Sequence, residues 1–131
     1  MKTQRHLERL NQKGFTLIEL IAIMIIMGVL GSVAVTKYES LSDTAINQVL
    51  VSAVKELNVR ESLTWTNMKI SKGGYTGDEA VYVAVNTDLG SKFKWSPGPG
   101  IGGGILYCGT RACPLVRMPS SYARAAKWSP H

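Results

Sequence analysis

The sequence predicts an α+β chain: one long N-terminal helix, apolar in its first half and amphipathic in its second, packed on a small antiparallel β-sheet. Three observations predict it. Phe15 to Val35 is a run of 21 residues with one charge, Glu19. Apolar residues then recur at three- and four-residue intervals from Ile46 onward. After Gly90, short β-prone runs alternate with glycine and proline.

The elements follow in order. At 1.5 Å per residue, a helix over 15–35 covers roughly the 30 Å of a bilayer's hydrocarbon. A cleaved secretory signal has a shorter apolar core followed by a small-residue cleavage site, and neither property fits here. Lys37 ends the apolar block. A stripe of Ile46, Val49, Leu50, Ala53, Leu57 and Leu63 then predicts an amphipathic continuation over 36–69. Lys55, Glu56, Arg60 and Glu61 are expected off that stripe. The two halves read as one helix over 16–68, with Gly28 and Gly31 each weakening it by about 1 kcal/mol relative to alanine.

Lys72-Gly73-Gly74 marks the helix exit and opens a small globular segment, 70–131. Residues 78–89 fit a short helix, with Asp78 near its start and Gly90 as its stop, slightly better than a strand. Lys92 to Trp95, Gly104 to Cys108 and Leu115 to Met118 read as short antiparallel strands whose apolar face covers the helix stripe. The tail 120–131 carries few signals.

Net charge is +6 over 131 residues. Half of it lies in residues 1–14, where Lys2, Arg5, Arg9 and Lys13 oppose Glu8. Basic residues flanking a span stay on the cytoplasmic side, which places the C-terminal segment outside. The remaining +3 is too small to argue for nucleic acid.

Lys13-Gly14-Phe15-Thr16-Leu17-Ile18-Glu19 joins the basic leader to the apolar run. It closely resembles the processing site of type IV prepilins and type II secretion pseudopilins. Ile21 to Val35 follows that superfamily's small-and-apolar pattern, with Gly28, Gly31 and Tyr38 at familiar places. The resemblance implies a pilin-like fold and a cut between Gly14 and Phe15 by a membrane prepilin peptidase. It further implies N-methylation of Phe15, removal of residues 1–14, and polymerisation with sister subunits on an inner-membrane assembly platform. The motive force in the family comes from a separate cytoplasmic ATPase. Glu19 is implied to draw an incoming subunit into register, near a neighbour's terminal amine. An ionised carboxylate in hydrocarbon costs several kcal/mol, so a buried partner charge is the expected compensation. Many major pilins carry proline where this chain has Thr36, a departure that favours a type II secretion pseudopilin or a minor pilin. A major type IV pilin, or a membrane-anchored DNA-binding module of the competence type, is the alternative.

Other residues carry less chemistry. Cys108 and Cys113, the only cysteines, predict a structural disulfide closing a tight loop between strands, with two free thiols as the alternative. They make a poor metal site, since His6 is in the leader and His131 is terminal. Gly98 to Gly104 lacks the Gly-Lys-Ser/Thr of a phosphate loop and reads as a turn or exposed loop. No Asp or Glu follows Gly90, so a C-terminal calcium site lacks carboxylates. Trp65, Trp95, Trp128 and the tyrosines, with Lys92, Lys94, Arg111, Arg117, Arg124 and Lys127, read as packing and a solvated basic surface rather than a polyanion site. No metal, cofactor or enzymatic activity is expected.

Overall fold

The long helix forms over almost the whole predicted range. The computed structural model describes residues 14–131, and helix α1 spans Leu17–Ile70. The expected leader therefore lies outside the described residues, except for Gly14. The chain divides into two compact units, the first ending at Ser40 and the second spanning Leu41–His131. In the first unit every residue from Gly14 to Ser40 is exposed. Polar side chains within it turn back on their own helix. Ser32 Oγ donates to the Val29 carbonyl at 2.8 Å and Thr36 Oγ1 to the Val33 carbonyl at 2.9 Å. A hydroxyl satisfied this way adds little polar cost to an apolar helix.

The second unit holds the core. Helix α2 (Asp78–Ala84) is followed by β1 (Phe93–Trp95), β2 (Gly103–Cys108), β3 (Arg111–Met118) and β4 (Lys127–Pro130). The four strands form an antiparallel meander in the order β1-β2-β3-β4. One sheet face covers α1: Leu50, Ala53, Val54 and Leu57 pack with Leu106, Leu115 and Trp128. The Trp95 and Trp128 rings meet at 5.6 Å between centroids.

The helix stripe differs from expectation at both edges. Its buried residues are Leu50, Ala53, Val54, Leu57 and Glu61. Val49 and Leu63 are 40% and 59% exposed. A 3.6-residue period carries the buried line from Leu57 to Glu61 and puts Leu63 near the opposite side. Glu61, expected in solvent, is wholly buried.

Helix α2 is shorter than 78–89, because the backbone is already extended at Val85. Gly90, at φ +94°, serves a turn in which Phe93 N donates to its carbonyl at 3.0 Å. β3 begins at Arg111, four residues earlier than predicted, and runs through Pro114. The register explains that tolerance. Pro114 faces Ile105, whose own N–H and C=O bond to Pro97 and Ser96 on the other side. The ladder therefore never calls on Pro114 for a donor there.

The glycine-rich run is not simply a loop. Gly103 and Gly104 open β2. A Cβ on Gly103, at φ +130°, would lie 2.1 Å from the Leu115 carbonyl oxygen. β4 was illegible in the tail, yet Trp128 pairs with Arg117 and is buried. Its outer edge is closed by α1. Asn58 Oδ1 accepts from Trp128 N at 2.7 Å, and Asn58 Nδ2 donates to the Trp128 carbonyl at 3.0 Å. One side-chain amide thus occupies the backbone positions that would otherwise recruit another strand.

Candidate processing and assembly site

Gly14, Phe15 and Thr16 precede α1 in extended or irregular backbone. The first helical bond of this region runs from Leu20 N to the Thr16 carbonyl at 3.2 Å. The Gly14–Phe15 peptide is therefore free of helical hydrogen bonding. A Cβ on Gly14 would meet nothing within 4 Å, and Phe15 is 77% exposed. Any demand for glycine here comes from outside the chain's own fold.

Thr16 and Glu19 cap the helix reciprocally. Thr16 N donates to Glu19 Oε2 at 2.8 Å, and Glu19 N donates to Thr16 Oγ1 at 3.3 Å. This is a Thr-x-x-Glu capping box, with the carboxylate in the first turn where the helix dipole favours negative charge. The sequence reading missed this local role, although the Thr16–Glu19 spacing signals it. It accounts for part of the cost of placing a carboxylate beside an apolar run. Oε1 has no hydrogen-bond partner among the described residues.

Beyond Glu19 the apolar surface is unpartnered. The consecutive residues Ile23, Met24, Ile25 and Ile26, which point to successive sides of the helix, are all exposed. Helix α1 is long and apolar enough to cross a membrane. An apolar helix with no buried stripe needs lipid or other helices around it.

The second unit contains a buried charge cluster that the sequence did not disclose. Arg117 donates from Nε to Glu61 Oε1 at 2.6 Å and from Nη2 to Glu61 Oε2 at 3.1 Å. It also donates from Nη1 to Asp78 Oδ2 at 2.8 Å and from Nη2 to Asp78 Oδ1 at 2.9 Å. Trp128 Nε1 donates to Glu61 Oε1 at 3.0 Å. Ser120 N and Oγ each donate to Asp78 Oδ1 at 2.7 Å. Burial alone would raise the Asp78 pKa, but the hydrogen bonds from Arg117 and Ser120 outweigh it and hold the carboxyl below its usual range. For Arg117, burial acts downward, and the bonds to Glu61 and Asp78 reverse it and push the guanidinium upward. This cluster is a clamp joining α1, α2 and β3. Arg117, expected on the basic surface, is therefore removed from it.

The remaining candidates separate. Cys108 and Cys113 are both free thiols, so the expected disulfide is not formed in this structure. Register is the reason: Cys108 faces Arg111 and Cys113 faces Leu106. The cysteines are diagonal neighbours, about 7–8 Å apart in such a ladder, which is beyond easy bridging. Burial pushes the Cys113 thiol pKa up. The three indole N–H groups are all used inside the fold: Trp65 donates to the Ser121 carbonyl, Trp95 to Thr87 and Trp128 to Glu61. Lys69 Nζ lies 4.4 Å from both the Trp65 and Tyr122 ring centroids. Arg111 pairs with Asp43 at 3.2 Å. The three indoles, Lys69 and Arg111 are thus engaged within the fold.

The Prokaryotic N-terminal methylation motif matches residues 9–35, the stretch that holds Gly14, Phe15, Glu19 and the apolar helix. No curated protein and no solved structure gives a significant match. The motif is the prepilin-type signature.

Proposed function

We propose, with that motif as the premise, that the chain is a pilin-like structural subunit. A prepilin peptidase cuts between Gly14 and Phe15 and methylates the new Phe15 amine. The trimmed chain waits in the cytoplasmic membrane, with residues 41–131 outside, and is then packed with sister subunits on an inner-membrane platform. The product is a pseudopilus of type II secretion, or a pilus in which this is a minor subunit.

The observation that carries this reading is the wholly exposed apolar helix beginning at a single capped carboxylate. Apolar surface in water costs about 25 cal/mol per Å². Lipid relieves that cost before assembly, and neighbouring helices relieve it afterwards. Glu19 then has two roles. Oε2 caps its own helix. Oε1 is available to a positive charge at the same depth, and the α-amine created at Phe15 on a neighbouring copy is such a charge.

The test is in two parts. Mass spectrometry of the chain from a host with a prepilin peptidase should find Phe15 as a methylated N-terminus; an intact residue 1–14 segment refutes processing. Glu19→Ala should still enter the membrane but be depleted from sheared filaments by about tenfold or more, as loss of a desolvated ion pair implies. Normal incorporation removes Glu19 from assembly.

A further inference from the structure

The second unit carries an apolar groove and, elsewhere on its surface, a knob of matching chemistry. The groove has a volume of about 420 Å³. Leu50, Val51, Val54 and Pro130 line it, and Lys55 and Arg111 supply its charges. The knob is on α2, where Val83 is 79% exposed. Glu79 lies four residues before it, on the same helix face and exposed. Neither Glu79 nor Lys55 forms an ion pair among the described residues. Arg111 at the rim is paired with Asp43, so an exposed valine beside an unpaired acid complements an apolar slot edged by one unpaired lysine in both polarity and charge.

We infer that Val83 of one copy seats in the groove of the next, with Glu79 against Lys55. This rests on the reading of the chain as a filament subunit and names the surfaces by which its outer units meet. The occupant is a second copy. Knob and groove share no residue, so each copy can use both at once. A contact between two unlike patches is heterologous, and such contacts propagate into rings or open helical filaments rather than closing as symmetric dimers. The polarity of this contact is therefore that of a polymer, and it continues outside the membrane segment the association proposed for residues 15–35.

Oxidative cross-linking of the full chain, in membranes of a host that processes it, tests the pairing. Cys113 lines the groove. Val83→Cys in a Cys108→Ser background should give a ladder of disulfide-linked multimers, and adding Cys113→Ser should abolish it. In the ladder-forming chain, Lys55→Glu should lower the yield by roughly tenfold through like-charge contact with Glu79, and Glu79→Lys added to it should restore the yield. Filaments that form without a ladder overturn the inference and leave the subunit reading intact. Dimers that persist after Cys113→Ser, with no higher multimers before it, overturn it equally. Chains that give neither ladder nor filaments remove both readings.

Discussion

Arg117 shows how much one residue can change meaning between sequence and fold. In the sequence it joins a set of surface cations; in the structure it holds Glu61 and Asp78 on two sides of its guanidinium, with no side-chain exposure of its own. Removing one member of a buried charged set leaves the others uncompensated, at about 3–5 kcal/mol. Arg117→Met should therefore destabilise the second unit by that amount in urea titrations of the detergent-solubilised chain. A loss under 1 kcal/mol would show that solvent already screens the cluster. Asp78 adds a pH dependence. Its folded pKa lies below the ordinary 3.8, so its stabilising contribution is present above that pH and is lost as pH falls through the lower folded value. Asp78→Asn should flatten the acid limb of the stability curve and leave little slope there; an unchanged limb assigns acid sensitivity to other carboxylates.

At the scale of elements, the strands depended on partners more than on their own composition. β4 has four residues, two of them Ser129 and Pro130, and no alternation to read. It is held by pairing to β3, by burial of Trp128 and by the Asn58 amide. Asn58→Ala should cost about 1–3 kcal/mol by leaving the Trp128 backbone groups unsatisfied. Amide exchange read at Trp128 should accelerate more than at Leu106 in β2, and equal acceleration at both would mean a global rather than an edge effect. Helix α1, by contrast, was legible almost end to end, since its apolar run and its stripe are long enough to average over single misreadings. Val49 and Leu63 were misplaced because a count of three- and four-residue steps does not track the slow drift of the true period. Glu61 was misplaced because burial of a charge is decided by its partner, and Arg117 lies 56 positions further on.

At the scale of the molecule, the two units place opposite demands on solvent. Among the described residues the first has none that is buried, whereas the core residues, from Leu50 onward, all lie in the second. A chain beginning at Leu41 should therefore fold without membrane or detergent, with a cooperative thermal transition by circular dichroism and helix content from 41–70. Failure to fold would show that the first unit contributes to the stability of the second. The free thiols bear on the same unit. In this structure they sit at diagonal positions across β2–β3, and the elements are joined by packing and the Arg117 clamp.

The sequence by itself determined the apolar helix, its single carboxylate and the processing signature, because each depends on residues adjacent along the chain. Helical periodicity, a hydrocarbon-length run and a methylation motif are all local properties. Only the tertiary structure decided that Glu61, Asp78 and Arg117 meet, that the cysteines miss one another, and that the C-terminal tail supplies an edge strand. Those outcomes depend on sheet register and on contacts spanning dozens of residues. A one-residue slip of β3 would send Arg117 and Cys113 to the opposite face.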